Sequence, residues 1–207
     1  MSRVRTTLDR KTVISAAMRL LADAGLDGLS LRNVASELGV RPGALYWHFA
    51  NKQALLDQMA ATLIEGPLAD LVRPQPGQTW DAWLGARARA FRKAILATRD
   101  GARLVAVSRP TTDRRPDAET MVATLTAAGF TPADALRALT AVKHYVIGAV
   151  QEEQDYAEGR AVWPRETEPD RYAEYPGLNQ AMVPQSAETL EAQFEYGLRA
   201  LLAGLAP

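Results

Sequence analysis

Cysteine is absent from the 207-residue sequence, and histidine occurs only twice, at His48 and His144. The chain can therefore form neither a disulfide nor a thiolate metal site, and a multi-histidine metal site is disfavoured. The sequence also lacks an unbroken run of 18 apolar residues and an apolar stretch near its N-terminus. We therefore expect no membrane span, no bound metal or cofactor, and a cytoplasmic location.

Signatures of catalysis are equally scarce. The sequence contains no Gly-rich phosphate loop, no nucleophile elbow and no cluster of histidines. His144, between Lys143 and Tyr145, is a conceivable base, but it lies within a long helical pattern that suits packing better than catalysis. The sequence predicts that the protein is not an enzyme.

The net charge is zero, which argues against a uniformly basic protein. The charge is distributed unevenly, however, because residues 1–52 contain eight Lys or Arg and four Asp or Glu, whereas the remainder contains 16 and 20. A basic first quarter on an acidic body indicates two tasks within one chain, one of them suited to nucleic acid.

Helical periodicity runs through nearly the whole chain, and 47% of the residues are apolar. The pattern predicts an all-α fold without β-strands. We expect breaks at Gly66-Pro67, a connector over 73–79 and a long loop over 159–186, which contains four prolines. The predicted helix starts have capping residues: Asp9, Ser30, Asn51, Thr131 and Ser186.

Two short helical patterns separated by Gly39 form the segment "LSLRNVASELGVRPGALYWHF" at 29–49. This arrangement is typical of a helix-turn-helix, whose second helix enters the major groove of DNA. Apolar residues such as Val34 and Leu45 would hold the pair on the first helix. The unit also needs cations and hydroxyls near phosphates and small side chains facing the bases.

Nine residues of this region are predicted to contact DNA. Those suited to phosphates are Arg32, Arg41, Tyr46, His48 and Lys52. Those on the groove face are Pro42, Gly43 and Ala44, which offer few hydrogen-bond donors. Trp47 is expected to contact both DNA and the domain core. Phe49 is expected to lie mainly in the core.

Residues 11–57 resemble the DNA-binding domain of the tetracycline-repressor family, in "LGV", "LYWHF" and "NK..LL" at their spacings. The segments "WDAWLGARARAFRKAILATRDGARL" and "AAGFTPADALRALTAVKHYVIGAVQEEQ" resemble that family's ligand domain. The resemblance implies a helix-turn-helix domain at 1–68 with a recognition helix at 41–48. It further implies an effector-binding domain at 69–207 and a homodimer joined by a four-helix bundle of the 133–158 and 187–203 helices.

Cations interrupt two apolar stripes of the predicted ligand domain. Arg87 lies on the apolar stripe of Trp83, Leu84 and Phe91. Lys143 lies on the apolar stripe of Leu136 and Leu139. A buried cation needs a partner, so each should face an acid, a pocket or a ligand, unless it extends to solvent. A neighbouring stripe of Ala135, Ala138 and Val142 suits close packing against a partner subunit.

The chain departs from the tetracycline repressors at four positions of the ligand site. Tetracycline repressors bind a tetracycline–magnesium chelate with histidines near the positions of Leu68 and Val105, an Asn at Arg87 and a Gln at Met121. A hydrocarbon side chain cannot ligate a metal. We therefore expect a different effector, hydrophobic or polycyclic, with an anionic or phenolic group.

The predicted effector pocket contains 14 residues. They are Leu68, Trp83, Arg87, Phe91, Val105, Ser108, Arg109, Pro110, Met121, Leu125, Leu136, Leu139, Lys143 and Glu152. The sequence thus predicts a repressor released from a near-palindromic operator by a small molecule. A ligand-responsive activator and an effector-independent DNA binder remain the alternatives.

Overall fold

The computed structural model describes residues 8–160, 172–181, 186–205 and 207. Those residues form helices and connections without a β-strand, which confirms the all-α prediction. The N-terminal part contains α1 (Arg10–Ala24), α2 (Leu31–Glu37), a 3₁₀ helix (Pro42–Trp47) and α3 (Lys52–Leu68). The remainder contains α4 (Trp80–Leu96), α5 (Gly101–Val107), α6 (Arg115–Ala127), α7 (Pro132–Ala157), α8 (Pro176–Ala181) and α9 (Ala187–Gly204).

Local capping explains where these helices begin. The side chain of each cap accepts a hydrogen bond from a backbone N–H of the first turn, which would otherwise lack an intrahelical partner. The five predicted caps are all confirmed, with partners as follows: Asp9 with Thr12, Ser30 with Asn33, Asn51 with Ala54, Thr131 with Asp134 and Ser186 with Thr189.

Two hydrophobic cores organise the chain. The first lies among α1, α2, the 3₁₀ helix and α3, and it includes Leu104 from α5. The second lies among α4, α7 and α9, and it includes Leu68 from the end of α3. Leu63 and Val105 pack against both cores. Because α3 and α5 contribute to each core, they join the two parts of the molecule.

α9 packs on α4 and α7 through one close approach. The Tyr145 ring of α7 stacks on Phe194 at 5.5 Å between centroids, and its hydroxyl donates to the Phe194 carbonyl at 2.8 Å. A Cβ at Gly197 would lie 2.3 Å from that hydroxyl oxygen, so only glycine fits there. The guanidinium of the buried Arg92 lies over the Phe194 ring and pairs with Glu153 at 2.9 Å.

The structure corrects two predicted breaks. α3 continues through Gly66 and Pro67 to Leu68, since a proline so near the helix end removes only one backbone hydrogen bond. Of the predicted loop at 159–186, residues 161–171 and 182–185 lie outside the described residues. The described part of that range includes α8, which its dense prolines and charges had concealed.

The small-residue stripe of α7 was predicted to pack on a partner subunit, and this is wrong for three residues. Ala135, Ala138 and Val142 are buried within the chain's own second core. α4 and α6 both pack on this helix, and the three residues belong to the core that also contains α4 side chains. Small side chains permit close approach of any helix, so the pattern alone could not identify the neighbour.

Candidate functional site

The 3₁₀ helix is held by two apolar side chains. Leu45 and Phe49 are almost fully buried in the first core, at 0% and 1% exposure. Gly39, at a φ of +64°, turns the chain between α2 and this segment, a conformation that favours glycine. The guanidinium of Arg10 lies 5.0 Å from the Phe49 ring centre. The helix-turn-helix support predicted from the sequence is therefore present.

The outer face of the same segment is unusually rich in exposed aromatic surface. Trp47 is 92% exposed and Tyr46 is 58% exposed. Trp47 does not share in the core as expected, because the tight 3₁₀ turn directs the neighbouring Leu45 and Phe49 inward instead. Large exposed aromatics are rare on a surface without a partner, so this face is a candidate for binding.

The other predicted DNA contacts surround these aromatics. Arg41, Pro42 and Gly43 are exposed, and Ala44 and His48 are half-buried. Arg32 and Lys52 are also exposed, and neither forms an ion pair with a described residue. Sequence reasoning missed Arg10, an exposed cation that stacks beside the end of the 3₁₀ helix. Arg10 could have been predicted as a DNA contact because it lies in the basic first quarter of the sequence.

A cavity of about 310 Å³ lies between α3, α4, α6, α7 and the turn after α5. This volume is at the lower end for small-molecule sites. Most of the predicted pocket residues line it: Leu68, Arg87, Phe91, Val105, Ser108, Arg109, Pro110, Met121, Leu136, Leu139 and Lys143. Residues far apart in the sequence thus come together around one cavity.

Three predicted pocket residues lie elsewhere. Trp83 is fully buried in the second core, and its indole N–H donates to the Leu71 carbonyl at 3.0 Å. Leu125 is also fully buried in that core, and Glu152 is exposed on α7 beyond the cavity wall. Lys143 does line the cavity, but its side chain is exposed rather than enclosed.

Parts of two cavity walls were not predicted from the sequence. α3 contributes residues at helical spacing, and α6 with the residue before it contributes a charged pair and a small residue. These additional residues are Asp57, Ala60, Ala61 and Ile64 from α3, Arg114 immediately before α6, and Asp117 and Ala118 from α6. The α3 stripe was readable, but the stripe through Leu55, Leu56 and Met59 suggested a core face instead.

Arg87 is a half-buried cation on the cavity wall. One of its guanidinium N–H groups donates to the Leu71 carbonyl at 3.1 Å. No ion pair joins it to an acid in the described part of the chain. Burial, and then the nearby charge of Arg114, lower the pKa of Arg87 to about 10, against a smaller opposite effect of Asp117. Of the predicted alternatives, an internal ion pair does not describe Arg87, which is half-buried rather than fully exposed.

The two acids of the cavity already have partners. Asp117 pairs with Arg114 at 3.1 Å, and Arg114 also pairs with Glu65 at 3.7 Å. Asp57 accepts the backbone N–H of Arg109 at 2.8 Å. With Arg87, Arg109, Arg114 and Lys143 on the wall, the cavity has four cations and two acids. The wall therefore has an excess of positive charge.

The cavity is also linked to the N-terminal part by hydrogen bonds at the turn after α5. Gln53 donates to the Val107 carbonyl at 2.8 Å and to Asp57 at 2.7 Å. Asp57 in turn holds the backbone of Arg109. The turn that forms one wall of the cavity is thus fastened to the first half of α3, near its start beside the 3₁₀ helix.

A second link lies at Asp100, which is buried at the start of α5. Its carboxylate accepts the Leu26 backbone N–H at 2.8 Å and an Arg103 N–H at 2.9 Å. Burial raises the pKa of Asp100, but these two hydrogen bonds and the positive charge of Arg103 outweigh burial and lower it. Arg103 also pairs with Asp27 at 2.8 Å. Asp100 therefore joins the end of α1 to the body.

Comparison with known proteins places both halves of the chain. Residues 13–59 match the family model described as bacterial regulatory proteins, tetR family, and residues 73–207 match the tetracyclin repressor-like C-terminal domain. The chain belongs to the TetR family. Among its TetR-family relatives is the tetracycline repressor protein class G of Vibrio anguillarum, 41% identical over 96% of this chain and 94% of the relative.

Solved TetR-family structures share the fold. A TetR variant from Acinetobacter baumannii in complex with minocycline has a TM-score of 0.75 at 38% identity, covering 95% of this chain and 96% of that one. BioQ with its double-stranded DNA operator has a TM-score of 0.70 at 31% identity, covering 96% of this chain and 98% of that one. The match extends over both parts of the molecule.

The cavity does not fit a magnesium ion such as the one in the solved complex of TetR(class A) with 5a,6-anhydrotetracycline and magnesium. Leu68 and Val105 stand on its wall and supply no ligand atom. The acids there are engaged, Asp117 by Arg114 and Asp57 by a backbone N–H. Mg²⁺ prefers several oxygen ligands in octahedral geometry, so these residues do not form a magnesium site.

The helices of the described residues were also compared with the requirements for crossing a membrane. None of the helices in those ranges combines the length and apolar character that crossing a bilayer requires.

Proposed function

We propose that this TetR-family protein is a homodimeric transcriptional repressor that a hydrophobic small molecule releases from operator DNA. The observation that carries the proposal is the outer face of the 3₁₀ helix, where Tyr46 and Trp47 are exposed among exposed cations. The solved complex of BioQ with its operator and the repressor named among the relatives support it. Its role would be regulatory rather than catalytic, and a repressor of operator DNA would act in the cytoplasm.

The DNA contacts follow from placement and charge. Arg32, Arg41 and Lys52 would neutralise phosphates, with Tyr46 and His48 adding hydrogen bonds. Pro42, Gly43 and Ala44 allow close approach to base edges, and Trp47 offers apolar contact with thymine methyl groups. Two such faces in a dimer would occupy successive major grooves of a near-palindromic site, about 34 Å apart.

The domain boundary and the dimer form part of the same proposal. Residues 1–68 would form the DNA-binding domain and residues 69–207 the effector and dimerisation domain, although Leu68 packs in the core of the latter. α7 and α9 of each subunit would form a four-helix bundle. Their outward surfaces support this, because Tyr196 is 71% exposed and Gly148 has open space around it.

The effector would act through the turn that is fastened to α3. A ligand in the cavity touches Ser108, Arg109 and Pro110 on that turn, and Gln53 and Asp57 bind the same turn from α3. These hydrogen bonds lie in the first half of α3, next to the 3₁₀ helix. The ligand can shift the dimer only by its differential affinity for the two spacings of the DNA-binding faces.

Operator binding tests the proposal directly. We expect the purified protein to bind a DNA fragment from its own promoter region in gel shifts, as a dimer with sequence preference. Neutralised phosphates release counterions, so log affinity should fall linearly with log salt, by about 0.9 per phosphate contacted. Affinity that is indifferent to sequence or to salt would contradict the proposal.

A further inference from the structure

One half-buried cation on the cavity wall, Arg87, lacks a counter-charge among the described residues. Arg114, Asp117 and Asp57 each have a partner within the protein, whereas the Arg87 guanidinium has only a neutral carbonyl. A guanidinium presents five N–H donors in a planar fork, and one described bond leaves most of them free for a ligand. Burial without a counter-charge is costly, and a bound anion would remove that cost.

The surroundings of Arg87 define the rest of the ligand. Leu84, Arg87, Ala88 and Phe91 lie on one face of α4, at i, i+3, i+4 and i+7, and all four line the cavity. Phe91 provides a flat aromatic surface one helical turn beyond the cation. The opposite walls supply hydrocarbon and thioether surface, from Leu68, Val105 and Met121 among others.

We propose that the effector is a planar aromatic carboxylic acid, whose carboxylate forms a bidentate ion pair with Arg87 and whose rings lie against Phe91. This inference rests on the proposed function, because it names the chemical class of the molecule that would control DNA binding. A carboxylate matches the guanidinium fork in geometry as well as charge. Arg109 and Lys143, at the exposed side of the cavity, add attraction for an anion as it enters.

A matched pair of probes isolates the charge. Anthracene-2-carboxylic acid and anthracene-2-carboxamide share their ring system and nearly their shape, but only the acid is ionised at pH 7.5. We expect the full-length protein, in calorimetric titration without DNA, to bind the acid roughly ten- to a hundredfold more tightly than the amide. This range follows from the strength of hydrogen bonds to charged groups.

Two variants locate the effect. Arg87→Met should reduce the preference for the acid to less than about twofold while leaving amide affinity unchanged. It should fold, because the Leu71 carbonyl keeps the Trp83 indole N–H as a donor, and thermal unfolding checks this. Lys93→Met, which removes an exposed cation from the same helix outside this cavity, should retain the wild-type preference. Arg87→Lys should show an intermediate preference, since it keeps the charge but loses the fork.

Three results would overturn the inference: equal wild-type affinities for acid and amide, a preserved preference in Arg87→Met, or no binding of the acid. Gel shifts on the same ligand-free preparation separate the two proposals. Failure to bind operator DNA with an intact acid preference would refute the proposed function alone. Operator binding without an acid preference would refute only the carboxylate.

Discussion

Replacing Asp100 with alanine should weaken the junction between α1 and the body more than any change to the exposed acids around it. The Leu26 N–H, now bound at 2.8 Å in a buried setting, would lose its acceptor. An unsatisfied buried donor costs roughly 1–3 kcal/mol. Asp100 also has a φ of +53°, a left-handed conformation that costs alanine about 1–2 kcal/mol. We expect a loss of roughly 2–5 kcal/mol in the free energy of unfolding.

Two matched variants separate these causes. Asp100→Asn keeps an oxygen acceptor for Leu26 and tolerates the left-handed backbone, so it should cost about 1 kcal/mol or less. Asp27→Ala removes the other partner of Arg103, but the Asp27 side chain is 84% exposed, and such a pair contributes roughly 0–1 kcal/mol. Urea unfolding followed by tryptophan fluorescence, at one protein concentration, measures all three. If Asp100→Ala were no worse than Asp27→Ala, the buried hydrogen bond could not hold the junction.

The same carboxylate predicts a pH dependence. Its folded pKa is lowered, so its contribution to stability is present above the unfolded value of about 3.9 and disappears as the pH falls through the folded value. The difference in unfolding free energy between wild type and Asp100→Asn should therefore be constant from pH 8 to pH 6 and shrink below about pH 4. A difference that grows toward low pH would contradict this sign.

Two further substitutions test the DNA-binding face and the packing of α9. Trp47→Ala should weaken operator binding roughly tenfold in gel shifts without lowering the melting temperature. Tyr175→Ala, which removes another exposed aromatic side chain, should change neither operator binding nor melting temperature. A lower melting temperature of Trp47→Ala would mean that Trp47 stabilises the core. Gly197→Ala should cost roughly 1–3 kcal/mol in thermal unfolding, because its Cβ would collide with Tyr145. Gly66→Ala, which meets no atom within 4 Å in helix α3, should be neutral or stabilising, and equal losses at both positions would refute the steric argument.

Features that depend on neighbours in the sequence were predictable. A capping serine such as Ser30 satisfies an N–H three residues away, and the turn at Gly39 needs a left-handed residue at that point. Both signals are complete within a few positions, so the helices of the N-terminal part could be located without a structure. Helical periodicity and capping residues also indicated the longer helices of the remainder, whereas the family resemblance was needed to predict a pocket among them.

Features that depend on how the helices pack against one another could not be predicted from the sequence. The exposure of Trp47 follows from the rotation of one short 3₁₀ segment on its support, and a residue pattern of six positions does not determine that rotation. Ala135 and Ala138 permit close packing but do not specify the partner, which proved to lie within the same chain. Pro67 reads as a break, yet its position one residue before the end of α3 makes it harmless.

The two junctions between the parts of the molecule differ in kind, and this difference bears on the proposed regulation. Asp100 holds the end of α1 through a buried carboxylate, whereas Gln53 and Asp57 hold α3 through hydrogen bonds to the turn that lines the cavity. A ligand can reach the second junction but not the first. Displacement of the turn would therefore move the start of α3, which lies beside the 3₁₀ helix, about a fixed point at Asp100. A rigid coupling at both junctions would shift the DNA-binding part as a whole, whereas one fixed and one responsive junction allows it to rotate.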